Sequence, residues 1–124
     1  MDKITIKDST GADVVFNVVR QPSGTQSAIL TASVAGEGMN RSAFPKIEVS
    51  TRIQNGATSP VISVVVPYGA MQNGAFKKLG QVATTTQSRQ PADAPSRAMA
   101  DAAAFQKNLM ATNVIQDLLN DGSL

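Results

Sequence analysis

Hydrophobic and polar residues alternate along most of the first 90 residues, and a period of two is typical of β-strands with one buried face. The alternation is cleanest over residues 44–54 and 60–68, where β-branched residues occupy every second position. Turn-forming residues separate the runs. The pattern predicts an antiparallel sheet of about six strands that opens with an N-terminal hairpin, at residues 3–7, 14–19, 27–34, 44–54, 60–68 and 77–89.

The sequence also predicts the connections between the fourth and fifth strands and between the fifth and sixth. Asn55-Gly56 favours a type I′ turn, and the residues that follow before Pro60 predict a loop longer than two residues. Pro67 predicts the end of the fifth strand, because proline cannot donate to a strand ladder. A loop at about 69–80 then precedes a polar, threonine-rich sixth strand.

The chain changes character after residue 90, where an alanine-rich segment without glycine predicts a helix up to residue 112. Asp93 is its expected N-cap, with Pro95 in the first turn. Asn113 and Gln116 have the spacing of a capping box for a second helix, which Gly122 should end. The apolar stripe of the first helix consists of Ala98, Met99, Ala102, Ala103, Phe105, Leu109 and Met110.

Strands at about 3–90 followed by helices at about 93–121 predict an α+β fold in a single domain, residues 1–124. The alternation gives the sheet one apolar face and one polar face. At 1.5 Å per residue the longer helix would be roughly 25 Å long, shorter than the central strands. The helices therefore cannot cover the apolar face, and a homodimer is expected to cover the rest.

The composition excludes most enzyme classes. The chain has 124 residues with no His, Cys or Trp, so Ser-His-Asp and Cys-His systems, thiol redox chemistry and zinc sites are unavailable to it. It also lacks a Walker A or dinucleotide-binding motif. We therefore expect no catalysis, no cofactor and no metal. The first ten residues hold no signal-peptide core, and no run of 18 apolar residues predicts a membrane span.

The net charge of +2 conceals an uneven distribution. Residues 41–89 carry six basic residues against Glu48 alone, whereas the segments on either side are slightly acidic. A basic middle segment favours an anionic partner, with nucleic acid the first candidate, although a solvated sheet surface would show the same pattern. Hydroxyls and cations on the polar face suit phosphate groups, and the best-placed residues are Lys46, Ser50, Arg52, Ser63 and Lys78.

The segments FPKIEVSTRIQNG at 44–56 and PVISVVVPYGA at 60–70 occur in a characteristic order with a loop, a last strand and a C-terminal helix pair. In this order, and over nearly the whole chain, the sequence resembles the coat proteins of the single-stranded RNA bacteriophages, the leviviruses and their relatives. Length, strand order and helix placement carry the resemblance more than any single motif.

The resemblance implies an interlocked homodimer, in which two sheets join edge to edge and each chain's helices lie across the partner's sheet. It implies a structural role: dimers would form an icosahedral capsid, usually of triangulation number three, around single-stranded genomic RNA. The protein would belong to the virion and assemble in the host bacterial cytoplasm, with itself and RNA as partners and no membrane or small-molecule substrate.

The resemblance also implies roles for individual residues. By this resemblance, Lys46, Ser50 and Arg52 would face the RNA, as would Ser63. Glu48 occupies a position where the family has a neutral residue, and this difference favours non-specific phosphate contacts. Recognition of an RNA hairpin, with translational repression, is a second role that the resemblance implies. Contacts between dimers fall on loop residues Gly69, Gln72, Asn73, Gly74 and Phe76. Packing of the helix in the dimer falls on Met99, Ala102, Phe105 and Leu109.

A second hypothesis stays open at this point. A cellular dimeric nucleic-acid-binding protein with an open antiparallel sheet would show the same charge and strand pattern. Particle size and co-purifying RNA distinguish the two.

Overall fold

A computed structural model describes residues 3–23 and 26–122 of the chain. The chain divides into two compact units at the boundary between Arg89 and Gln90. In the described part, the first unit consists of β1 (Lys3–Lys7), β2 (Asp13–Arg20), β3 (Ala28–Thr31), a 3₁₀ turn (Arg41–Ala43), β4 (Lys46–Gln54), β5 (Ala57–Gln72) and β6 (Ala75–Gln87). The second consists of β7 (Gln90–Pro91), α1 (Ser96–Met110) and α2 (Asn113–Asp121).

The first unit is an antiparallel sheet in which each strand pairs with its neighbours in sequence, in the order β1-β2-β3-β4-β5-β6. This confirms the predicted α+β plan of an antiparallel sheet before two helices, to which the two-residue strand β7 is an addition. The register of the central pair places Ile47 opposite Val64 and Glu48 opposite Ser63. Directly opposite residues share a face of the sheet, so the predicted apolar rows meet on one face and the polar rows on the other.

The connection between β4 and β5 is shorter than predicted. Residues 54 and 57 are already paired, and Asn55 and Gly56 form a two-residue turn with φ of 53° and 74°. Both left-handed angles are those a type I′ turn requires. The prediction of a longer loop is wrong because pairing continues on both sides of Pro60, which lies opposite Thr51.

The predicted loop at 69–80 is also wrong, because β5 continues to Gln72 and β6 begins at Ala75. Asn73 and Gly74 form a second two-residue turn, with φ of 53° and 78°. Pro67 is tolerated because β4 pairs with β5 only as far as Val65, so β5 has a single partner strand at the proline. The two strands form a long hairpin that extends past the end of β4.

A register shift between Tyr68 and Gly69 marks a bulge within this hairpin. A Cβ atom at Gly69 would lie 2.0 Å from the carbonyl oxygen of Lys77. The two backbones therefore approach more closely than any other residue would allow. Gly69, the first residue of the predicted loop, therefore permits the strand to continue.

The third strand is shorter than predicted, ending at Thr31 rather than at residue 34. The amide of Ala32 still donates to the carbonyl of Pro45 over 3.1 Å. Pro45 has no N–H group to return, so the ladder between β3 and β4 stops there. The fourth strand correspondingly begins at Lys46 instead of residue 44.

The core lies on the apolar face of the sheet, where β2, β3 and β4 adjoin. Leu30 is fully buried, and Phe16, Ala32 and Ile47 are buried with it. Partly buried residues from four strands surround this cluster: Ile4, Val14, Val18, Val49 and Val64. Burial decreases toward the β4–β5 turn, where Ile53 on the same face is 83% exposed.

The second unit confirms two helices but changes how they begin. The N-cap of α1 is Pro95 rather than Asp93, and that of α2 is Thr112 rather than Asn113. Neither cap side chain accepts a hydrogen bond from the first turn of its helix, and the Thr112 hydroxyl instead donates to the carbonyl of Leu109 over 2.8 Å. Gly122 ends α2 as predicted, with φ of 74° and its N–H donating to Leu118 over 2.8 Å. Within the described residues, neither helix has the length and apolar character to cross a membrane.

Candidate nucleic-acid interface

The polar face of the sheet carries the residues that the sequence nominated for nucleic-acid binding. We define it by Lys46, Glu48, Ser50 and Arg52 of β4 together with the residues of β5 and β6 on the same side. The register places Ser50 opposite Val61 and Arg52 opposite Ser59. Alternation along β4 therefore gives Lys46, Ser50 and Arg52 one common face, as predicted.

Ser63 and Lys78 also belong to the polar face. Ser63 lies opposite both Glu48 and Thr85, and its hydroxyl is 3.3 Å from the hydroxyl of Thr85. Lys78 lies beyond the bulge, and its ammonium group donates to the Gln81 side chain over 2.6 Å. The five candidate residues are thus distributed across three adjacent strands on one surface.

Strand β6 contributes further residues to this surface that the sequence pattern does not indicate. Gln81, Thr85 and Gln87 take alternate positions on the polar face, opposite Pro67, Ser63 and Val61 respectively. The alternation was present in the sequence, but few hydrophobic residues mark the register of this strand. Only pairing with β5 shows which threonines and glutamines join the polar face.

Glu48 is the one acidic residue between positions 41 and 89, and the structure gives it a partner. Ser27 donates its hydroxyl hydrogen to the Glu48 carboxylate over 2.7 Å. The Ser27 hydroxyl accepts from the Arg20 guanidinium, also over 2.7 Å, and a second Arg20 nitrogen donates to the Ser27 carbonyl over 2.9 Å. Ser27 is only 7% exposed, so this chain of hydrogen bonds ties the carboxylate to the strands beside it.

In the part of the chain that the structure describes, no cation of the polar face forms an ion pair. Among the described residues the ion pairs are Lys7 with Asp13 and Arg97 with Asp101, and neither pair involves β4, β5 or β6. Arg52 is exposed and Lys46 is half-buried. Their charges are therefore available to an anion, and surface potential of this kind attracts phosphate groups.

The chemistry available on this face is binding by charge and hydrogen bonding. Val61 and Val65 lie between the polar residues and interrupt the hydrogen-bonding surface. Phe76 shares this side of β6 with Lys78 near the hairpin turn, but β4 itself carries no aromatic residue, so bases have no stacking partner along β4. No cluster of three or more acidic side chains that could hold a metal ion occurs in the described part of the chain.

Neither a protein-family model nor a curated protein sequence matches the chain. Solved structures do match it along its whole length. The virus-like particle of bacteriophage NT-214 has a TM-score of 0.85 and 16% identity, covering 99% of this chain and 96% of that one. The particle of Beihai levi-like virus 21 has a TM-score of 0.85 and 17% identity, with coverage of 100% and 96%. The capsid protein of bacteriophage GA has a TM-score of 0.73 and 14% identity, with coverage of 99% and 95%.

The chain has the levivirus-like coat-protein fold. Identities of 16% and 17% at such coverage mean that the fold is kept by the pattern of strands and helices rather than by particular residues. The family resemblance noted from strand order is therefore confirmed at the level of fold.

In this coat-protein fold, the residues predicted to contact other dimers lie on the projecting hairpin. Gly69 and Gln72 are in β5, Asn73 and Gly74 form its turn, and Phe76 is in β6. The amide of Phe76 donates to the carbonyl of Gly38 over 2.9 Å, holding the hairpin against the segment before the 3₁₀ turn.

The side chain of Asn40 reinforces this attachment. Its amide nitrogen donates to the carbonyl of Phe76 over 3.1 Å, while its oxygen accepts from the backbone amide of Ser42 over 3.1 Å. The β5–β6 hairpin is thus held by hydrogen bonds to the segment that contains Gly38 and Asn40.

The residues predicted to pack in the dimer lie on α1 of the coat-protein fold. No residue of α1 or α2 is buried, and Phe105 is 73% exposed. Met99 and Leu109 are exposed as well. Together with Ala102 they recur at helical spacing, so α1 presents an apolar stripe without cover.

Proposed function

We propose that the protein is a structural capsid subunit that forms a homodimer and assembles into an icosahedral shell around single-stranded RNA. It would act without catalysis, within the virion, after assembly in the cytoplasm of a bacterial host. A triangulation number of three is the expected geometry.

One observation carries this proposal: the fold likeness to subunits of virus-like particles covers both the sheet and the helices. The likeness covers 99% of this chain and 96% of the NT-214 chain, so both the sheet and the helix pair have counterparts there. A chain that used only the sheet for another purpose would not need the helix pair in the same place.

Dimerisation is supported by apolar surface that a single chain leaves uncovered. On the sheet this surface includes Ile53, Ile62, Val66 and Val82, and on the helices it includes Phe105. Large exposed apolar patches are unusual in monomers. We propose that Met99, Ala102, Phe105 and Leu109 pack against the sheet of a second copy, and that Gly69, Gln72, Asn73, Gly74 and Phe76 contact neighbouring dimers.

RNA packaging is supported by the polar face. Its cations and hydroxyls suit the phosphate backbone, and the lack of an aromatic residue on β4 favours contacts that do not depend on sequence. We propose that Lys46, Ser50, Arg52, Ser63 and Lys78 make these contacts. Binding of an RNA hairpin, with translational repression, is proposed as a second role of the same face.

Expression of the chain alone tests the capsid role. Electron microscopy and light scattering should show closed particles of megadalton mass, and the purified material should absorb near 260 nm because it contains RNA. A small dimer free of RNA would contradict the capsid role and favour a cellular binding protein instead.

Substitution on the polar face tests the RNA contacts separately. Arg52→Ala and Lys46→Ala should each lower the RNA content of particles that still assemble, because each removes a phosphate partner. Ser96→Ala, a substitution on α1 in the second unit, is the control and should leave RNA content unchanged.

A further inference from the structure

Asparagine is followed directly by glycine at two places in the chain, Asn55-Gly56 and Asn73-Gly74. Both pairs are exposed and form two-residue turns between paired strands, with nearly the same left-handed φ angles. The same dipeptide therefore adopts the same local conformation twice, in different surroundings. Any difference in the chemistry of the two turns must come from those surroundings.

An asparagine that precedes glycine can lose its side-chain amide without an enzyme. The backbone nitrogen of the glycine attacks the side-chain carbonyl carbon, and the side-chain nitrogen leaves as ammonia, taking the proton of the backbone N–H. Water then opens the resulting five-membered succinimide at either carbonyl, which gives aspartate or isoaspartate. Glycine favours the first step because it has no Cβ atom to obstruct the approach of its nitrogen. Water is the one other reactant.

The rate of this reaction in a folded protein depends on how often the turn opens, because the glycine nitrogen must move onto the asparagine side chain. Local opening has a free-energy cost, and each contact that holds a turn closed raises it. The contacts around the two turns therefore decide which asparagine reacts faster.

The Asn73-Gly74 turn is held by the segment before the 3₁₀ turn. The carbonyl oxygen of Gly74 lies so close to Gly38 that no Cβ atom would fit there. The Phe76 amide donates to the Gly38 carbonyl over 2.9 Å, and the Phe76 carbonyl accepts from the Asn40 side chain over 3.1 Å. Opening of this turn disturbs the close contact and both hydrogen bonds.

The Asn55-Gly56 turn lacks this support. In the described ranges, neither residue forms a hydrogen bond with a segment outside β4 and β5, and the side-chain amide of Asn55 has no hydrogen-bond partner. Ile53, just before the turn, is 83% exposed. Opening of this turn therefore breaks only the pairing within its own hairpin.

We propose that Asn55 is a site of spontaneous deamidation, whereas Asn73 is protected by the segment that contains Gly38 and Asn40. The reaction converts Asn55 to aspartate or isoaspartate through the succinimide. This modification is a property of the folded chain and does not depend on the capsid role.

Deamidation changes both the charge and the backbone at this end of the sheet. The new carboxylate lowers the formal net charge of the chain from +2 by one unit. Asn55 lines a cavity together with Arg89, so the carboxylate gains a guanidinium as neighbour. Isoaspartate also adds one carbon to the backbone path. A two-residue turn cannot absorb that carbon without a change in strand pairing, because turn length fixes the register of a hairpin.

The test is a time course of deamidation in the purified whole chain at mildly alkaline pH, where the backbone nitrogen loses its proton more readily. Trypsin leaves both asparagines on one peptide, residues 53–77, and chymotryptic cleavage after Tyr68 separates them. Mass spectrometry then follows each site, and an isoaspartyl methyltransferase detects isoaspartate. Asn55 should react roughly tenfold faster than Asn73, because the second turn must also disturb its hydrogen bonds to open.

Two variants and the unfolded chain are the controls. In urea both asparagines precede glycine in an open chain, so they should react at similar rates. Asn55→Gln should remove the fast reaction, because the longer side chain would have to form a six-membered ring. Asn40→Ala removes the side-chain donor to Phe76 and should speed the reaction at Asn73 roughly fivefold, the value of one hydrogen bond, without changing the rate at Asn55.

Equal rates at the two sites of the folded chain, or a faster reaction at Asn73, would overturn the proposal. So would a folded chain in which Asn55 stays intact while the unfolded chain reacts. A product without isoaspartate would rule out the succinimide route. If Asn40→Ala left the rate at Asn73 unchanged, the protection assigned to the neighbouring segment would be wrong.

Discussion

At the scale of single residues, Ser27 holds two opposite charges in place on the polar face. Its hydroxyl accepts from Arg20 and donates to Glu48, each over 2.7 Å. Ser27→Ala should lower the free energy of unfolding by about 1–3 kcal/mol, because both charged groups lose a hydrogen-bond partner. Urea denaturation at fixed protein concentration measures the change.

Ser50→Ala makes the same substitution on the same face and is the control for Ser27→Ala. The Ser50 hydroxyl makes no hydrogen bond in the described part of the chain. Its replacement should change stability by no more than about 0.5 kcal/mol. Equal urea midpoints for the two variants would show that the Ser27 hydroxyl contributes nothing to stability.

Asp8 gives the first hairpin a dependence on pH. Its carboxylate accepts from the Thr10 hydroxyl over 2.6 Å and from the amides of Thr10 and Ala12 over 2.9 and 3.0 Å. These hydrogen bonds, the Thr10 hydroxyl first, hold the pKa of Asp8 below its ordinary value of 3.8. The folded state thus favours the ionised carboxylate.

A lowered pKa stabilises the fold above the unfolded value and loses that contribution as pH falls through the folded value. The stability advantage of wild type over Asp8→Ala should therefore be constant above about pH 5 and shrink in more acidic solution. Thr10→Val should move the pKa of Asp8 back toward 3.8 in an NMR titration. An unchanged titration would rule out the Thr10 hydroxyl as the main cause.

At the scale of elements, Gly38 sets how closely the long hairpin packs on the segment before the 3₁₀ turn. Its φ is +80°, and an added Cβ would lie 2.1 Å from the carbonyl oxygen of Gly74. Gly38→Ala should destabilise the protein by the strain of that angle plus about 1–3 kcal/mol for the overlap. Thermal unfolding and the yield of assembled particles both measure the effect.

Gly11→Ala isolates the overlap from the backbone strain. Gly11 has φ of +86°, yet an added Cβ there meets nothing within 4 Å. It should therefore show the strain of the angle alone, and its hairpin, β1–β2, is distant in sequence from the projecting one. Similar losses for the two alanine variants would mean that the contact between Gly38 and Gly74 is unimportant.

The elements also show what the sequence could predict. Strict alternation in β4 predicted which residues lie on each face of the sheet, and so it predicted every polar-face residue of that strand. The register of β4 is well determined because a shift by one residue would place its charged side chains on the apolar face. Pro60, Pro67 and Gly69 led to wrong strand boundaries. Proline and glycine end a strand only in some contexts, which depend on which edge of the strand is paired and how near the next backbone lies. Those are properties of neighbours, and local sequence does not contain them.

At the scale of the whole molecule, the apolar stripe on α1 is exposed to solvent in a single chain, which is unusual for apolar side chains. Phe105 is 73% exposed at the centre of this stripe, whereas Gln106 follows it on the polar side of the helix. Phe105→Asp should prevent dimerisation, because it would place an unpaired carboxylate in an apolar interface.

Gln106→Asp adds the same carboxylate one position away and should leave the dimer and its assembly intact. Sedimentation and light scattering should therefore give small species for Phe105→Asp and wild-type particles for Gln106→Asp. Circular dichroism that shows retained strand content in Phe105→Asp separates loss of assembly from loss of folding. Particles of normal size from Phe105→Asp would mean that α1 stays exposed in the shell, and the uncovered apolar face of the sheet would then need a different partner.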